Sequence, residues 1–377
     1  MSEGLAIRQV ETAADRRAFI DLPFRLYADD PNWRPPLKLE RMEHITKNPF
    51  FLHAETVLFL AERDGRVVGR ISAQINRLHL ERYRDSTGQF GFIEAEQDPE
   101  IFAALLNAAG DWLKARGMKR AQGPFSFSIN EETGLLVDGF STPPSMMMGH
   151  AKPWYDAMVK SAGYDKAKDV IAYWYDLNTP MPRAMTRMIE KNKASGKLTI
   201  RPFSKRNLKR DLAIIISLFN DAWSENWNFV PMTEAEINAL GQVFRLLITE
   251  RHIAIAEWEG VPAAMIVTLP DINRWFADFN GKLLPFNWLK LLFRLFRPEE
   301  AFRVPLMGVR KEFRTSPIGA MLTFAVIDAA HQFHRARGTH LSELSWILED
   351  NMPMRRIIEA LGGEAYKTYR VYEKALA

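Results

Sequence analysis

The sequence predicts a mixed α/β protein assembled from two copies of one unit. Three observations predict it: short matches that recur at a nearly constant spacing, the order of strand-like and helix-like segments in each half, and a strand–loop–helix passage confined to the second half. The chain has 377 residues, enough for two cores. Its 47% hydrophobic and 25% charged content are those of an ordinary globular protein.

The matches come first. Leu5-Ala6-Ile7-Arg8 reappears as Leu198-Thr199-Ile200-Arg201, at an offset of 193. Asn32-Trp33 reappears as Asn226-Trp227 at 194, and Ala61-Glu62-Arg63-Asp64-Gly65 as Ala256-Glu257-Trp258-Glu259-Gly260 at 195. Both glycines lie between β-type runs, as in a hairpin turn. Ala115-Arg116-Gly117 matches Ala336-Arg337-Gly338 at 221, and Gly163 pairs with Gly362 or Gly363 near 200. This order places the copies at 1–180 and 195–377. The rise from 195 to 221 gives the second copy 26 private residues, read as an insertion near Ile272–Pro298. The fall back to about 200 gives the first copy about 21 of its own, near Ser126–Pro153. Segments peculiar to one copy of a scaffold are where specificity tends to sit.

Each half reads as strand, helical region, hairpin, further strand, helix, strand, helix and terminal strands. Trp112–Arg116 and Phe324–Arg335 lie in the strongest helical patterns, and Asn178–Lys197, rich in Pro, Met and Lys/Arg, reads as the crossover. Between Val309 and Ala320 an apolar run breaks into a short loop before a long apolar-faced segment. Unpaired N–H groups at a helix N-terminus, the helix dipole and the charge of Arg314 together suit a pyrophosphate.

The spacing of this passage resembles the coenzyme A loop of the GNAT N-acyltransferase superfamily. Val309, Arg314, Ile318 and Gly319 sit in register, while Thr315 and Pro317 replace two glycines. The resemblance implies a tandem GNAT-like fold whose second lobe binds acyl-CoA through Met307, Val309, Arg314, Thr315, Ser316, Ile318 and Gly319. It also implies that Leu306–Val309 present backbone to the pantetheine arm and that the strand His340–Leu348 splays away to admit the thioester. Asn351 matches an Asn that contacts the cofactor arm in the superfamily, and it also suits a helix N-cap. Ile358 stands where a Tyr general acid is common.

The same offset of 221 sets Gly88–Asp98 opposite the loop, with Glu94, Glu96 and Asp98. Carboxylates would repel a pyrophosphate, so the first copy is expected to lack the coenzyme A site and to serve the acceptor. Acyl transfer to an amine needs a base with a pKa near the operating pH. Glu343 is the first candidate, since strand alternation can aim it at the cleft. His150 and Tyr155, in the first copy's private segment, are the others.

The second private segment contains Trp288–Arg297. On a helix Trp288, Leu291, Leu292, Leu295 and Phe296 share one face and Lys290, Arg294 and Arg297 another, the pattern of a helix lying in an anionic membrane interface. A helix packed between lobes is the alternative. Met146-Met147-Met148, flanked by prolines, offers an adaptable apolar surface. Taken whole, the chain is similar to bacterial proteins of GNAT type that include ceramide synthases. That resemblance runs through Ser128–Glu131, Pro143–Tyr155, Trp346–Asn351 and Tyr369–Glu373. It implies transfer of an acyl group from acyl-CoA to the amine of a sphingoid base. Acetylation of a small soluble amine, and a non-catalytic acyl-CoA-binding module, are the alternatives. A net charge of +4 favours anionic ligands, without a basic block of nucleic-acid type. There is no cysteine, metal-ligand cluster, signal peptide or membrane-length apolar run. The expectation is a cytoplasmic, metal-independent enzyme, peripheral on the inner membrane face.

Overall fold

The computed structural model describes residues 4–295, 297 and 300–376, with the side chains of all but 243–247 among them. In chain order it builds β1 (Ala6–Gln9), α1 (Ala13–Leu26), α2 (Lys38–Lys47), β2 (Ala54–Arg63), β3 (Arg66–Asn76), α3 (Arg77–Tyr83), β4 (Thr87–Ala95), α4 (Pro99–Lys114), β5 (Arg120–Gly123), β6 (Phe125–Ser126), β7 (Glu132–Thr133), β8 (Leu135–Asp138), α5 (Tyr155–Ser161) and β9 (Asp165–Asp176). There follow α6 (Arg183–Ala194), β10 (Leu198–Pro202), α7 (Leu208–Trp223), α8 (Glu234–Leu247), β11 (Ile253–Trp258), β12 (Val261–Pro270), α9 (Ile272–Phe276), α10 (Asn287–Leu295), β13 (Ala301–Val309), α11 (Pro317–Arg335), β14 (Leu341–Leu348), α12 (Met352–Ala360) and β15 (Glu364–Ala375).

The chain packs as two compact units. The first comprises Met1–Ile171, Ile272–Phe296 and Lys367–Ala377; the second comprises Ala172–Asp271 and Arg297–Tyr366. In the first, β1 to β4 are antiparallel neighbours and β5 lies parallel beside β4. The end of β15 then pairs antiparallel with β5, Tyr372 opposite Gly123, and with β8, Tyr369 opposite Leu136. Phe19, Ile20, Phe50, Leu60, Phe92 and Phe127 form a core on the side of α1 and α2.

The second unit repeats the order. β10 to β13 are antiparallel neighbours and β14 is parallel beside β13. Its core joins Ala254, Ala256, Ala264 and Ile266 to Phe302, Met321, Leu322 and Ala325 of β13 and α11. The two copies agree down to register. Ile7 faces Ala61 and Ile200 faces Ala256, and each hairpin shifts register just after that alanine. Arg8 bonds Glu62 at 2.6 Å and also Asp15; Arg201 bonds Glu257 at 2.8 Å and also Asp211.

Structural register corrects the offset at the loop. It is 195 at the hairpins (Gly69 and Ala264), 214 at the ends of the next strands (Ala95 and Val309), 218 at the prolines that open the next helices (Pro99 and Pro317) and 221 at their caps (Ala115 and Ala336). The extra residues of the second copy therefore divide among the private segment, the loop and the helix, rather than forming one insertion. The true counterpart of Arg310–Ser316 is Glu96–Asp98, and Glu94 is a strand residue. In that short turn Asp98 caps α4 and Glu96 bonds Arg66. The first copy thus lacks the length of the loop as well as its charge.

Two segments lie apart from the copy that contains them in sequence. Residues 272–295 pack into the first unit: Lys38 N–H donates to Gly281 O at 2.9 Å, Asn273 Nδ2 donates to Pro144 O at 3.1 Å, and a Cβ on Gly281 would meet Phe24 at 2.5 Å. The chain's terminal strand is also part of the first unit's sheet. The Asn178–Lys197 crossover is structured, since α6 lays Met185, Met188 and Ile189 on the second unit's core.

Candidate functional site

The donor candidates assemble where β13 runs into α11. Ser316 caps the helix, its Oγ accepting from Gly319 N at 3.2 Å and donating to Phe313 O at 2.8 Å. Pro317 takes the first helical position, where a missing N–H does no harm. Gly319 is obligatory, because a Cβ there would lie 2.0 Å from Phe313 O. Arg314 donates to Ala222 O at the end of α7 and to Glu225 at 3.3 Å, and Lys311 also meets Glu225 at 3.1 Å. Lys311 and Arg314, two of the three cations of the loop, are thus held together by one carboxylate. Thr315 is exposed, and Met307, Val309 and Ile318 border the second unit's core. Asn351 caps α12, accepting from Met354 N at 3.3 Å. Ile358 is buried in that helix.

β13 and β14 part at a defined point. They pair from Ala301/Leu341 to Val304/Leu344 and no further. The next residue of β13 is Pro305, which has no N–H for the ladder. Beyond it Leu306–Val309 offer an edge whose other side is taken by β12. This opening and the capped loop after it fit the pantetheine arm and pyrophosphate of coenzyme A. In the first unit the equivalent opening is filled by the chain itself. β4 and β5 pair only from Thr87 to Gln89, and beyond them Phe125 O comes so close that a Cβ on Gly91 would lie 1.8 Å away. Gln74 Nε2 secures that chain, donating to Phe125 O at 2.9 Å and Phe127 O at 3.3 Å. At Ala95, the counterpart of Val309, the backbone is closed by Tyr155, whose hydroxyl accepts from Ala95 N at 3.2 Å and lies 3.1 Å from Ala95 O.

Glu343 lies on β14 one residue before its last pairing with β13, opposite Arg303 in register, and is completely buried. Arg303 Nε lies 3.3 Å from its Oε2, and Tyr366 OH reaches its Oε1 at 3.5 Å. Burial pushes the carboxyl up to about 7, partly offset by Arg303. The first unit's equivalents of this charged pair are Gln89 and Gln122, also buried and in register.

His150 and Tyr155 belong to the first unit and to one cluster there. A cavity of about 140 Å³ is walled by α1, α2 and the strands and by both private segments, through Pro144–His150 and Asn273. His150 meets Asp30 at 3.0 Å, and burial lowers its pKa. Tyr155 is fully buried, its hydroxyl 2.8 Å from Glu94 Oε2; Tyr27 donates to the same oxygen at 2.6 Å. Glu94 lines the cavity with Arg70, Arg41 and Glu132. Arg41 is matched by Glu132 at 2.5 Å. Burial raises the Glu94 carboxyl to about 7. Glu94 and Arg70 were not singled out as a pair by the sequence reading. Their signal is one charge inside each of two apolar strand runs, Val67–Ile71 and Phe90–Ala95.

The chain is 46% identical over 376 residues to bacterial ceramide synthase of Caulobacter vibrioides (strain NA1000 / CB15N), covering 99% of this chain and 98% of that one. It is 44% identical over 365 residues to protein YghO of Escherichia coli (strain K12), covering 96% and 93%. The chain belongs to their family. Its fold matches a tandem GNAT protein from the clavulanic acid biosynthesis pathway, with TM-score 0.56, 13% identity and 99% of each chain covered. It likewise matches a GCN5-related N-acetyltransferase from Sphaerobacter thermophilus, with TM-score 0.56, 14% identity, and 99% and 96% covered. These likenesses establish the fold as tandem GNAT. No established family profile matches the chain.

The private helix of this tandem GNAT protein is α10, and its exposed face differs from the expected one. Leu291 and Leu295 are half-buried, whereas Leu289 (48%) and Phe293 (69%), outside the expected face, are exposed; Leu292 (51%), which belongs to it, is exposed too. Trp288 is exposed as expected, and Phe296 lies outside the described residues. Lys290 and Arg294 are drawn to Asp278 at 3.2 and 2.6 Å, so the helix turns its cations toward its own support. Among the described residues no helix is long and apolar enough to cross a membrane.

Proposed function

We propose that the protein transfers an acyl group from acyl-CoA to the amino group of a long-chain, sphingoid-type amine. It is an acyl-CoA-dependent N-acyltransferase. The amine nitrogen attacks the thioester carbonyl carbon and gives up a proton to a base. The C–S bond breaks, and coenzyme A leaves as the thiol after taking a proton. The observation that carries the reading is the parting of β13 and β14 at Pro305 above the capped loop, in a chain that shares its full length with a ceramide synthase.

The donor is held by Met307, Val309, Arg314, Thr315, Ser316, Ile318, Gly319 and Asn351, all in the copy at 195–377. The copy at 1–180, whose opening is filled, serves the acceptor. Proton transfer falls to Glu343, His150 and Tyr155, with Glu343 as base, a role its pKa of about 7 supports. The acceptor arrives from a membrane surface, which the exposed apolar side chains of α10 support.

Purified protein supplied with acyl-CoA of rising chain length and a sphingoid amine should yield the N-acyl amide by mass spectrometry. Turnover confined to acetyl-CoA and small soluble amines would overturn the acceptor assignment. The membrane step is checked separately. The protein should float with anionic vesicles, and Leu289→Glu with Leu292→Glu should abolish flotation while leaving coenzyme A binding intact. Equal flotation of the variant would remove α10 from the account.

A further inference from the structure

Glu94 and Arg70 face each other in register on β4 and β3, where directly opposed residues share one face of the sheet. No ion pair closes between them. Arg70 turns its Nη1 to Phe19 O at 2.7 Å, its guanidinium 4.8 Å from the Phe19 ring centroid, and leaves its buried Nε without a partner. Glu94 turns to two tyrosine hydroxyls, and among the described residues no cation forms an ion pair with it. A carboxylate that borders a cavity with hydroxyl donors in contact, and with its one opposed cation, Arg70, acting through space rather than in an ion pair, has room for a closer cation.

The pair is private to the first unit. At the equivalent register the second unit carries Gly308 and Met265, the glycine because a Cβ there would lie 2.8 Å from Ala222. The position that is bare along the donor groove in one copy is charged in the other. The remaining wall mixes apolar groups, among them Phe24, Trp33, Phe92 and Met148, with Arg41 and Glu132, which form an ion pair at 2.5 Å. A volume of about 140 Å³ is close to that of a cavity of roughly 150 Å³ that holds benzene. It takes a head group and its first carbons, not a long chain.

We propose that this cavity receives the ammonium of the acceptor on first binding, with the Glu94 carboxylate as its counter-ion and Arg70 as donor to an oxygen carried beside the amine; the nitrogen then leaves this contact and loses its proton before it attacks the thioester. The assignment rests on the N-acyltransferase reading above and names the chemistry its acceptor must bring: a primary amine with a neighbouring hydroxyl or carbonyl, on an apolar chain. Other charged or titratable groups around Glu94 are Tyr27 just past the end of α1, Tyr155 on α5, Arg70 on β3, Arg41 on α2, Glu132 on β7 and His150 in the private loop. Of these the two tyrosines touch it; Arg70 first, and then the tyrosines, hold its carboxyl lower than burial alone would set it.

Binding of 2-aminodecan-1-ol, decylamine and decan-1-ol to the full chain tests the site without turnover. The amino alcohol should bind best and decan-1-ol roughly tenfold or more weaker, the difference a charge-assisted contact makes. Glu94→Gln should erase that preference while coenzyme A still raises the melting temperature. Amine binding should strengthen as pH rises through about 7, where Glu94 gains its charge and the amine keeps its own. Tyr27→Phe removes one donor and should move that midpoint upward, which keeps the test decisive if Glu94→Gln does not fold. Unchanged amine preference in Glu94→Gln, or an unmoved midpoint in Tyr27→Phe, overturns the proposal. A wild type that binds the amine through Glu94 yet acylates nothing would refute the functional reading and sustain the site.

Discussion

Glu343→Gln is expected to slow acyl transfer by about 10²–10⁴-fold, the range for loss of a general base. The single variant also takes one carboxylate away from the buried Arg303, which lowers stability as well, so lost activity alone would be ambiguous. The duplication supplies the control. The first unit folds with Gln89 and Gln122 buried at the matching register, so Arg303→Gln with Glu343→Gln installs a pair that this scaffold already accommodates. The double variant should recover most of the stability and none of the activity. Recovery of activity would make the ion pair a packing device and relieve Glu343 of its chemical role. The pH dependence gives a second measurement. With its carboxyl raised from 4.5 to about 7, the folded state keeps a proton that the unfolded chain releases earlier. This contribution to stability is complete below about 4.5 and is lost as pH rises through about 7. Denaturant unfolding between pH 5 and 8 should show a flatter decline in the double variant, the residual slope belonging in part to Glu94, which is shifted the same way.

Gly319→Ala should abolish coenzyme A binding, by roughly 100-fold or more, while most of the chain stays folded. The added methyl would press on Phe313 O, which also accepts the Ser316 hydroxyl, and neither is the free end of a flexible side chain. Relief must come from moving the loop or the first turn of α11, and both carry the N–H groups a pyrophosphate would use. Arg314→Ala removes only one charged donor, worth roughly tenfold, and frees Glu225 from half of its pairing. Thermal shift with coenzyme A separates the two: a Gly319→Ala protein stabilised as much as the wild type would disprove the donor site.

The parts of this fold that could be read from residues alone were local ones. The hairpin glycines, the Asn351 cap and the strand–loop–helix passage depend on neighbours in sequence. The register at the loop did not follow, because a single jump in spacing cannot reveal that it is spread over three places. The exposed side of α10 was misjudged because periodicity shows that a helix has faces but not which one meets a support; Asp278 decided that. Glu94 was taken for a loop residue by the same shifted alignment, and its pairing with Tyr27 and Tyr155 joins residues 67 and 61 positions away. The family resemblance pointed to the opening beside β13, while the cavity of the first unit had to be found in space.

The terminal strand carries one more consequence, in the timing of synthesis. The first unit cannot complete its sheet until residues 367–375 have been made, nor close its cavity wall until residues 272–295 have. The lobe that leaves the ribosome first is therefore the last to finish folding. A message cut after residue 180 should yield an aggregating fragment with β5 unpaired along one edge, and that fragment should become soluble when the missing strand is fused behind it.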